Sequence, residues 1–360
     1  MMKFKIFIVV AILNTFAMQA NAQEPSTPGP CVDSGGLRLI CDFNGIPEDL
    51  VIVPDTGWVL ASVFSREDTT ALYLVDSQSK TTYSLYSPEI GDNRFDRQAY
   101  PNCPGAPDLS NIDTHGLSIR PQVGNPGIHT LYAVSHGARE AVEVFELDAT
   151  ADMPQISWIG CVLMPDGLDA NDVSSMQDGS ILVTVLMHPG DSFEDLLAGR
   201  PTGGVYRWTP GMETFTMLEG SELPGNNGIQ VSADESEIFV AASGLSAVIT
   251  LANTNPTRII RRSRTLEFVP DNVVYDERGY LLTAGMRNDE PTCSIPAPIS
   301  NCPRGTIAVS IHPDTMKDTI ILQTPPNPNF SGATMAITPG GNEVWVGSFL
   351  HPRIAYRLLE

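Results

Sequence analysis

The chain has 360 residues, a formal net charge of -21 and a hydrophobic fraction of 42%. A chain this acidic is not expected to bind nucleic acid or an anionic membrane surface non-specifically, because like charges repel. The charge suits a cation as a partner, although acidity also serves solubility.

The first 22 residues have the pattern of a secretion signal. Lys3 and Lys5 precede an apolar run over residues 6–13, and Ala20-Asn21-Ala22 supplies the small residues of a cleavage site. The apolar run is too short for a lasting transmembrane anchor, and residues 23–30 are typical of a flexible lead-in. We therefore expect a signal peptide over 1–22, a secreted or periplasmic protein without a stable membrane anchor, and a single domain over 31–360.

From residue 48 onward, a short polar signature runs six times into an apolar strand, a turn and a second strand. The copies begin at Glu48, His115, Asn171, Asn227, Asp271 and Ala333. They are separated by 44 to 67 residues, which is close to the period of a β-propeller blade. The turns are rich in Gly, Asp, Asn and Pro, as in hairpins. Residues 192–198 offer the only helical turn, so the sequence predicts an all-β fold, a six-bladed β-propeller.

If each copy is the innermost strand of a blade, the opening residues all face one central channel. Five of them carry a side-chain oxygen or an imidazole, whereas Ala333 in the sixth copy would contribute only shape. Asn-Gly and Asn-Asp pairs are common in turns, so the prediction of a cation-binding active site depends on their shared register. The remaining histidines match no partner and are interpreted as ordinary loop or packing residues: His129, His188, His312 and His351.

Six cysteines on an exported chain suggest disulfides, whose connectivity the sequence leaves open. Cys293 and Cys302 form the nearest local pair, within a Pro-rich excursion. Cys31 and Cys41 could staple the start of the first blade, and Cys103 and Cys161 would then join two neighbouring loops. No Cys/His spacing is typical of zinc, which favours structural bridges over metal or thiol chemistry.

These copies resemble the serum paraoxonase/arylesterase family, within the wider senescence-marker-protein-30/gluconolactonase propeller group. The resemblance runs from residue 47 to about residue 347 and is carried by five segments, at residues 115–118, 142–147, 171–173, 227–229 and 271–273. It implies a six-bladed propeller that holds two calcium ions in its tunnel and hydrolyses lactones and aryl esters.

The resemblance also implies roles for individual positions. The catalytic calcium would be bound by Glu48, Asn171, Asn227, Asp271 and Asn272. The structural calcium would be bound by Asp49, Asp172 and the main-chain carbonyl of Leu117. His115, with His136 behind it, would match the family's proposed proton-transfer pair.

The chemistry of these side chains agrees with those roles. Calcium takes six to eight oxygen ligands from carboxylates, amide carbonyls and waters. Glu48 and Asp271 would match the ion with two negative charges, and the neutral Asn carbonyls would leave it Lewis acidity toward a substrate carbonyl. The ordinary pKa of histidine lies near neutrality, which suits His115 to act as a general base toward water.

Two features depart from the family, and two other functions stay open. Members of the family have a disulfide that joins the first and last blades, whereas here no cysteine follows Cys302. The final strand, near residues 354–358, must therefore close the ring by hydrogen bonding or through another bridge. The Pro- and Cys-rich excursion at residues 288–303 has no counterpart in the family either. The alternatives are a secreted propeller that binds a ligand or protein with only structural calcium, and a sugar-lactone hydrolase that does not need His115. The absence of a Gly-x-Ser-x-Gly motif disfavours a serine hydrolase on an α/β fold.

Overall fold

The protein is a ring of six small β-sheets. The structure, a computed structural model, describes residues 31–64, 70–87, 92–288 and 303–359. Within these ranges the strands form one sheet of five strands and five sheets of four strands. The predicted all-β, six-bladed propeller is confirmed.

Each blade is built from a consecutive stretch of the chain, with one exception. The first strand, β1 (Arg38–Ile40), belongs to the last blade. Blade one contains β2 (Leu50–Ile52), β3 (Trp58–Ser62), β4 (Leu72–Asp76) and β5 (Thr82–Tyr86). Blade two contains β6 (Asp92–Asn93), β7 (Ile112–Pro121), β8 (Ile128–Gly137), β9 (Ala141–Asp148) and β10 (Gln155–Leu163). Blade three contains β11 (Val173–Ser175), β12 (Ile181–Val185), β13 (Gly204–Trp208) and β14 (Thr216–Met217).

The second half of the ring repeats this pattern. Blade four contains β15 (Asn226–Val231), β16 (Glu237–Ala242), β17 (Ala247–Ala252) and β18 (Ile259–Arg262). Blade five contains β19 (Phe268–Tyr275), β20 (Leu281–Arg287), β21 (Thr306–Ile311) and β22 (Asp318–Gln323). Blade six contains β23 (Ala333–Ile337), β24 (Glu343–Ser348), β25 (Ile354–Leu358) and, as its outer strand, β1. Short 3-10 turns lie at Ser243–Leu245 and Pro339–Gly341.

Within the residues that the structure describes, helical structure is confined to short pieces. The α-helix α1 (Phe193–Leu197) follows β12, and Ser192 caps it by accepting a hydrogen bond from the backbone N–H of Asp195. The Asp195 carboxylate accepts from the backbone N–H of Ser192 in return, which completes a capping box. The helical turn expected over residues 192–198 is therefore present.

The hydrophobic core lies between neighbouring blades, and both polar and apolar residues line the centre of the ring. Blades one and two, for example, share a cluster that includes Leu60, Leu74, Phe145 and Trp158, all fully buried. Each innermost strand, β2, β7, β11, β15, β19 and β23, contacts the innermost strand on either side, so these strands form a closed ring. Their residues line a central cavity of about 190 Å³, which is the channel expected from the sequence.

The ring is closed by hydrogen bonds between the two ends of the described chain. β1 pairs antiparallel with β25, with Arg38 opposite Tyr356 and Ile40 opposite Ile354. The expected closure through the final strand is therefore confirmed, and its position at residues 354–358 is as predicted.

Two of the expected disulfides are present. Cys31–Cys41 encloses β1, so this bridge holds the outer strand of blade six as well as the lead into blade one. Cys103–Cys161 differs from the expectation in one respect, because Cys161 lies within β10 and not in a loop. Cys293 and Cys302 lie outside the described residues.

The disulfides bear on the location of the protein. Two disulfides are consistent with an extracellular or periplasmic location. No helix within the described ranges is long and apolar enough to cross a membrane. The expected signal peptide over 1–22 and the lead-in over 23–30 lie outside the described residues.

The seam between the first and last blades carries an ion pair whose loss we expect to measure. The Nζ atom of Lys80 lies 2.6 Å from Glu343 Oε2 and 4.9 Å from the ring centroids of both Trp345 and Tyr356. Lys80→Ala would leave the Glu343 carboxylate half-buried without a cation, and we expect it to lower the free energy of unfolding by about 1 to 2 kcal/mol. Urea unfolding would measure this difference. Lys317→Ala, at an exposed lysine, is the matched control, and equal effects of the two changes would contradict a role for the seam.

Candidate metal centre and histidine pair

The polar signatures sit at irregularities in the innermost strands. In blades two, four, five and six, the pairing with the next strand skips two residues, between Thr114 and Leu117 in blade two and at the equivalent places in the other three. Such β-bulges change the direction of side chains and often lie next to active sites. In blades one and three, the equivalent residues directly precede the strand.

This register defines two layers of residues at one end of the tunnel. The upper layer consists of Glu48, His115, Asn171, Asn227, Asp271 and Thr334. The lower layer consists of Asp49, Gly116, Asp172, Gly228, Asn272 and Met335. The scattered signatures therefore do converge, as predicted from the sequence.

In the sixth copy, the residue that lies in the upper layer is one position later than the sequence predicts. Ala333 pairs with Ser348, as Thr114 pairs with Ser135 in blade two, so Ala333 lies one position before the upper layer. The equivalent residue is Thr334, whose hydroxyl donates to the main-chain carbonyl of Glu48 at 2.5 Å. The sixth blade thus contributes a hydrogen bond that holds Glu48, and not shape alone.

The lower layer ties consecutive blades together through two carboxylates. Asp49 accepts hydrogen bonds from the N–H of Leu50 in its own blade and from that of Leu117 in the next blade, at 2.8 and 2.5 Å. Asp172 accepts in the same way from Val173 and Ile229, both at 2.7 Å. Both carboxylates are buried and line the tunnel cavity, as Leu117 does.

Glycine is required where the next blade approaches the lower layer. A Cβ atom on Gly228 would lie 2.4 Å from Asn272 Cα, and one on Gly116 would lie 2.5 Å from Asp172 Cα. These contacts are with backbone atoms and leave no room for a side chain. Asn227-Gly228 is therefore part of a bulged strand and not the tight turn that this dipeptide commonly forms.

Hydrogen bonds fix the orientation of the amides around Glu48. Asn272 Nδ2 donates to Glu48 Oε1 at 2.8 Å, and Asn227 Nδ2 lies 3.2 Å from Ser243 Oγ. Ser243 Oγ in turn donates to the carbonyl of Pro270 at 2.8 Å, so it can only accept from Asn227. The amide nitrogen of Asn227 therefore faces Ser243, and the carbonyl oxygen, Oδ1, does not.

Three buried oxygens of the upper layer accept no hydrogen bond from any residue that the structure describes. They are Glu48 Oε2, Asn171 Oδ1 and Asn227 Oδ1. Buried acceptors without a donor are costly, and a hard cation satisfies several at once. No three His, Cys, Asp or Glu side chains in the described ranges form a metal site by themselves, so a cation here needs the Asn carbonyls. The donor set fits calcium, which takes such mixed oxygen ligands.

The pKa values of the buried carboxyl groups are raised, which favours their protonated form when no cation is bound. Burial raises the pKa of Asp49 and of Asp271 to about 7. Burial raises the pKa of Glu48 well above its ordinary value, and the nearby charges of Asp271, Asp49 and Asp172 raise it further. The pKa of Asp172 is raised for the same reasons. Without a cation, the four carboxyls cannot all ionise at neutral pH, whereas positive charge in the tunnel would favour ionisation.

His115 and His136 form the pair expected from the sequence. His115 Nδ1 lies 3.1 Å from His136 Nε2, and His115 Nε2 lies 3.4 Å from Glu48 Oε2. Burial, and then the neighbouring His136, lower the pKa of His115 to about 3. His115 is therefore neutral and presents a ring nitrogen beside the candidate metal ligands.

Two residues around this pair were not identified from the sequence. The ring of Phe64 stacks on His115 with the centroids 5.0 Å apart, and Glu140 Oε2 lies 2.6 Å from His136 Nδ1. The signal for Glu140 is its place four residues after His136, across the turn that joins β8 and β9. Phe64 carried no signal, because only the folded ring brings it to His115.

The other histidines have local surroundings of their own. His188 Nε2 lies 3.0 Å from the hydroxyl of Tyr206, and His312 Nδ1 accepts from the N–H of Asp314. His351 Nδ1 lies 3.3 Å from the carbonyl of Ser331. His129 is buried on β8.

Comparison with known proteins places the fold among six-bladed propellers. No protein-family model and no curated protein matches the chain. Many solved structures do match. The luciferin-regenerating enzyme has a TM-score of 0.53 at 13% identity, over 90% of this chain and 96% of its own. A calcium-binding protein, regucalcin, from Agrobacterium tumefaciens has a TM-score of 0.51 at 11% identity, over 90% and 94%.

A proposed gluconolactonase is also similar, with a TM-score of 0.51 at 16% identity, over 92% of this chain and 96% of its own. At these identities the likeness establishes the fold alone. The similar structures belong to the gluconolactonase and regucalcin group of propellers, and the narrower resemblance to paraoxonases is not confirmed by them.

Proposed function

We propose that this protein is a secreted, calcium-dependent hydrolase of lactones, aryl esters or both. The observation that carries the proposal is the set of three buried oxygens, on Glu48, Asn171 and Asn227, that accept no hydrogen bond from the described part of the chain, together with the His115 ring next to Glu48. An oxygen-lined cation site next to a histidine can catalyse water attack on a carbonyl, because the cation polarises the carbonyl and the imidazole accepts a proton from water.

The upper layer would hold the catalytic calcium. Glu48 and Asp271 of the upper layer would supply two formal charges, and Asn171 and Asn227 of the same layer would supply neutral carbonyl oxygens. Asn272, in the lower layer, would supply a third neutral carbonyl oxygen. A calcium ion bound there would act as a Lewis acid toward the substrate carbonyl. A second, structural calcium would use Asp49, Asp172 and the carbonyl of Leu117, since both carboxylates line the cavity and are already anchored by backbone N–H groups.

His115 would take a proton from the attacking water. An O–H bond of the water breaks as that proton bonds to His115 Nε2, the hydroxide oxygen bonds to the carbonyl carbon, and the π electron pair of the C=O bond moves onto the carbonyl oxygen. When the C=O bond re-forms, the bond from that carbon to the leaving oxygen breaks, and the leaving oxygen takes the proton back from the histidine pair. Because its pKa is low, His115 holds a positive charge poorly. Passing its Nδ1 hydrogen to His136 Nε2, 3.1 Å away, moves that charge to a second ring.

The test is hydrolysis by calcium-loaded and calcium-free protein of an aromatic lactone, an aryl ester and gluconolactone. We expect turnover of at least one substrate with calcium and loss of turnover after chelation. His115→Gln should lower the rate roughly a hundredfold on substrates with poor leaving groups. His312→Gln, which lies beside Asp314, is the matched control and should have no effect.

Two other outcomes would redirect the proposal. If His115→Gln had no effect while calcium remained essential, the sugar-lactone alternative would replace the histidine mechanism. If calcium-loaded protein turned over none of the three substrates, the hydrolase would be excluded and the ligand-binding propeller would take its place.

A further inference from the structure

We propose that Glu140 is a positioning residue, whose carboxylate sets the tautomer of His136 and thereby leaves His115 Nε2 without a hydrogen on the tunnel side. The inference deepens the proposed function and rests on it only for its catalytic consequence. The contacts among Glu140, His136 and His115 do not depend on any substrate.

Glu140 is in direct contact with the ring of His136. Glu140 Oε2 lies 2.6 Å from His136 Nδ1. An ionised carboxylate has acceptors and no donor, so the hydrogen of this bond must be on Nδ1 of the imidazole. In neutral histidine only one ring nitrogen carries hydrogen, and His136 Nε2 is then an acceptor.

The tautomer of His136 sets that of His115. His136 Nε2 lies 3.1 Å from His115 Nδ1, so His115 Nδ1 must donate and therefore carries the hydrogen. His115 Nε2 is then left with a lone pair, at the atom that lies 3.4 Å from Glu48 Oε2. Without Glu140, His136 could instead carry its hydrogen on Nε2, which would place the hydrogen of His115 on Nε2 and block it as a base.

The turn between β8 and β9 holds Glu140 at this place. Gly137 has a φ of +101°, and a Cβ there would lie 2.6 Å from the carbonyl oxygen of Asn111. The N–H of Ala138 donates to that same carbonyl at 2.8 Å. Glu140 is anchored by its own carbonyl, which accepts from the N–H of Met164 at 3.0 Å. The turn is therefore fixed on both sides of the carboxylate.

The neighbouring positively charged side chain, Arg139, binds a different carboxylate. Arg139 Nε and Nη2 donate to the buried carboxylate of Glu143, each at 2.8 Å, and Arg139 Nη1 donates to the carbonyl of Gly105. Trp158 Nε1 also donates to Glu143 at 2.8 Å. Because Arg139 is bound by Glu143, the Glu140 carboxylate is left to His136.

Nitrogen-15 NMR of the histidine rings tests the tautomer directly. In calcium-loaded wild-type protein, we expect the hydrogen of His136 on Nδ1. Glu140→Ala should shift it toward Nε2. Glu140→Gln keeps an acceptor oxygen at the same reach and should have a smaller effect. Glu146→Gln is the matched control, since Glu146 lies on β9 and pairs with Arg94 at 2.8 Å.

Steady-state kinetics on the best substrate tests whether Glu140 contributes to catalysis through His136 and His115. Glu140→Ala should lower kcat by roughly tenfold to a hundredfold, the range found for partners that orient a functional histidine, with KM changed less than about twofold. Glu140→Asp retains a carboxylate and should recover part of the loss. Thermal unfolding identifies any variant that fails to fold. If Glu140→Ala does not fold, Glu140→Gln should still give a smaller shift of the His136 tautomer and a smaller loss of kcat, and no change in either would overturn the proposal.

The two levels of the inference can fail separately. An unchanged His136 tautomer in Glu140→Ala would overturn the proposal, and so would a changed tautomer with an unchanged kcat. A protein that hydrolyses no ester but shows the expected tautomer shift would refute the hydrolase function and retain the role of Glu140.

Discussion

Glu48→Gln is expected to lower hydrolysis by at least about a hundredfold and to weaken calcium binding, the largest effect of any single change considered. Glu48 is 1% exposed and contributes one of the two formal charges of the upper layer. Loss of a residue that only orients a metal ligand already costs about 10- to 100-fold, and Glu48 would touch the ion itself. Steady-state kinetics and calcium titration by calorimetry would measure both losses.

Two controls separate loss of charge from loss of structure. Glu219→Gln removes an exposed carboxylate and should leave both quantities unchanged. Asn227→Ala removes a neutral ligand and should weaken calcium binding, whereas Asn111→Ala, outside the two layers, should not. Full calcium affinity in Glu48→Gln would exclude this residue from the site.

Calcium is expected to stabilise the protein strongly at pH 8 and much less at pH 5. In the calcium-free fold, burial raises the pKa of Asp49 and Asp271 to about 7, whereas these groups ionise near pH 4 in an unfolded chain. Between these values the folded state binds more protons than the unfolded state, so the stability of calcium-free protein falls as pH rises. Calcium requires the ionised carboxylates, so its contribution grows over the same range.

The expected magnitude follows from linkage. At free calcium one hundred times the dissociation constant, each site contributes about 2.7 kcal/mol. Thermal unfolding of dialysed protein at pH 5, 6.5 and 8, with and without added calcium, would measure the increment at each pH. An increment that did not vary with pH would contradict the assignment of these carboxyls to the site. Magnesium, which demands a smaller octahedral site, should give a smaller increment.

The sequence was sufficient for the fold and for the convergence of the site because both depend on local patterns. Alternating strands and Gly- or Asp-rich turns recur at blade spacing, and the closed ring then brings the opening residues together. His115 and Asp271 could be placed in one layer in this way, although they lie in different blades.

What the sequence did not provide depends on contacts across the ring. The offset of the sixth copy was wrong by one residue, because the bulge that places Thr334 in the upper layer is defined only by its pairing with β24. The close approach that requires Gly228 is likewise visible only against Asn272 of the next blade. Phe64 reaches His115 from another blade, so no spacing along the chain could indicate it.

The pairing of β1 with β25 makes one sheet depend on the two ends of the described chain. Strand pairing between residues so distant in sequence is slow to form, and β1 is synthesised long before its partner. Until they meet, β25 presents an unpaired edge, which is a template for another chain. A β1 strand from a second molecule could complete the same sheet, so any separation of β1 from β25 would favour strand exchange between molecules. The Cys31–Cys41 bridge, which encloses β1, holds that strand close to the ring that it must complete.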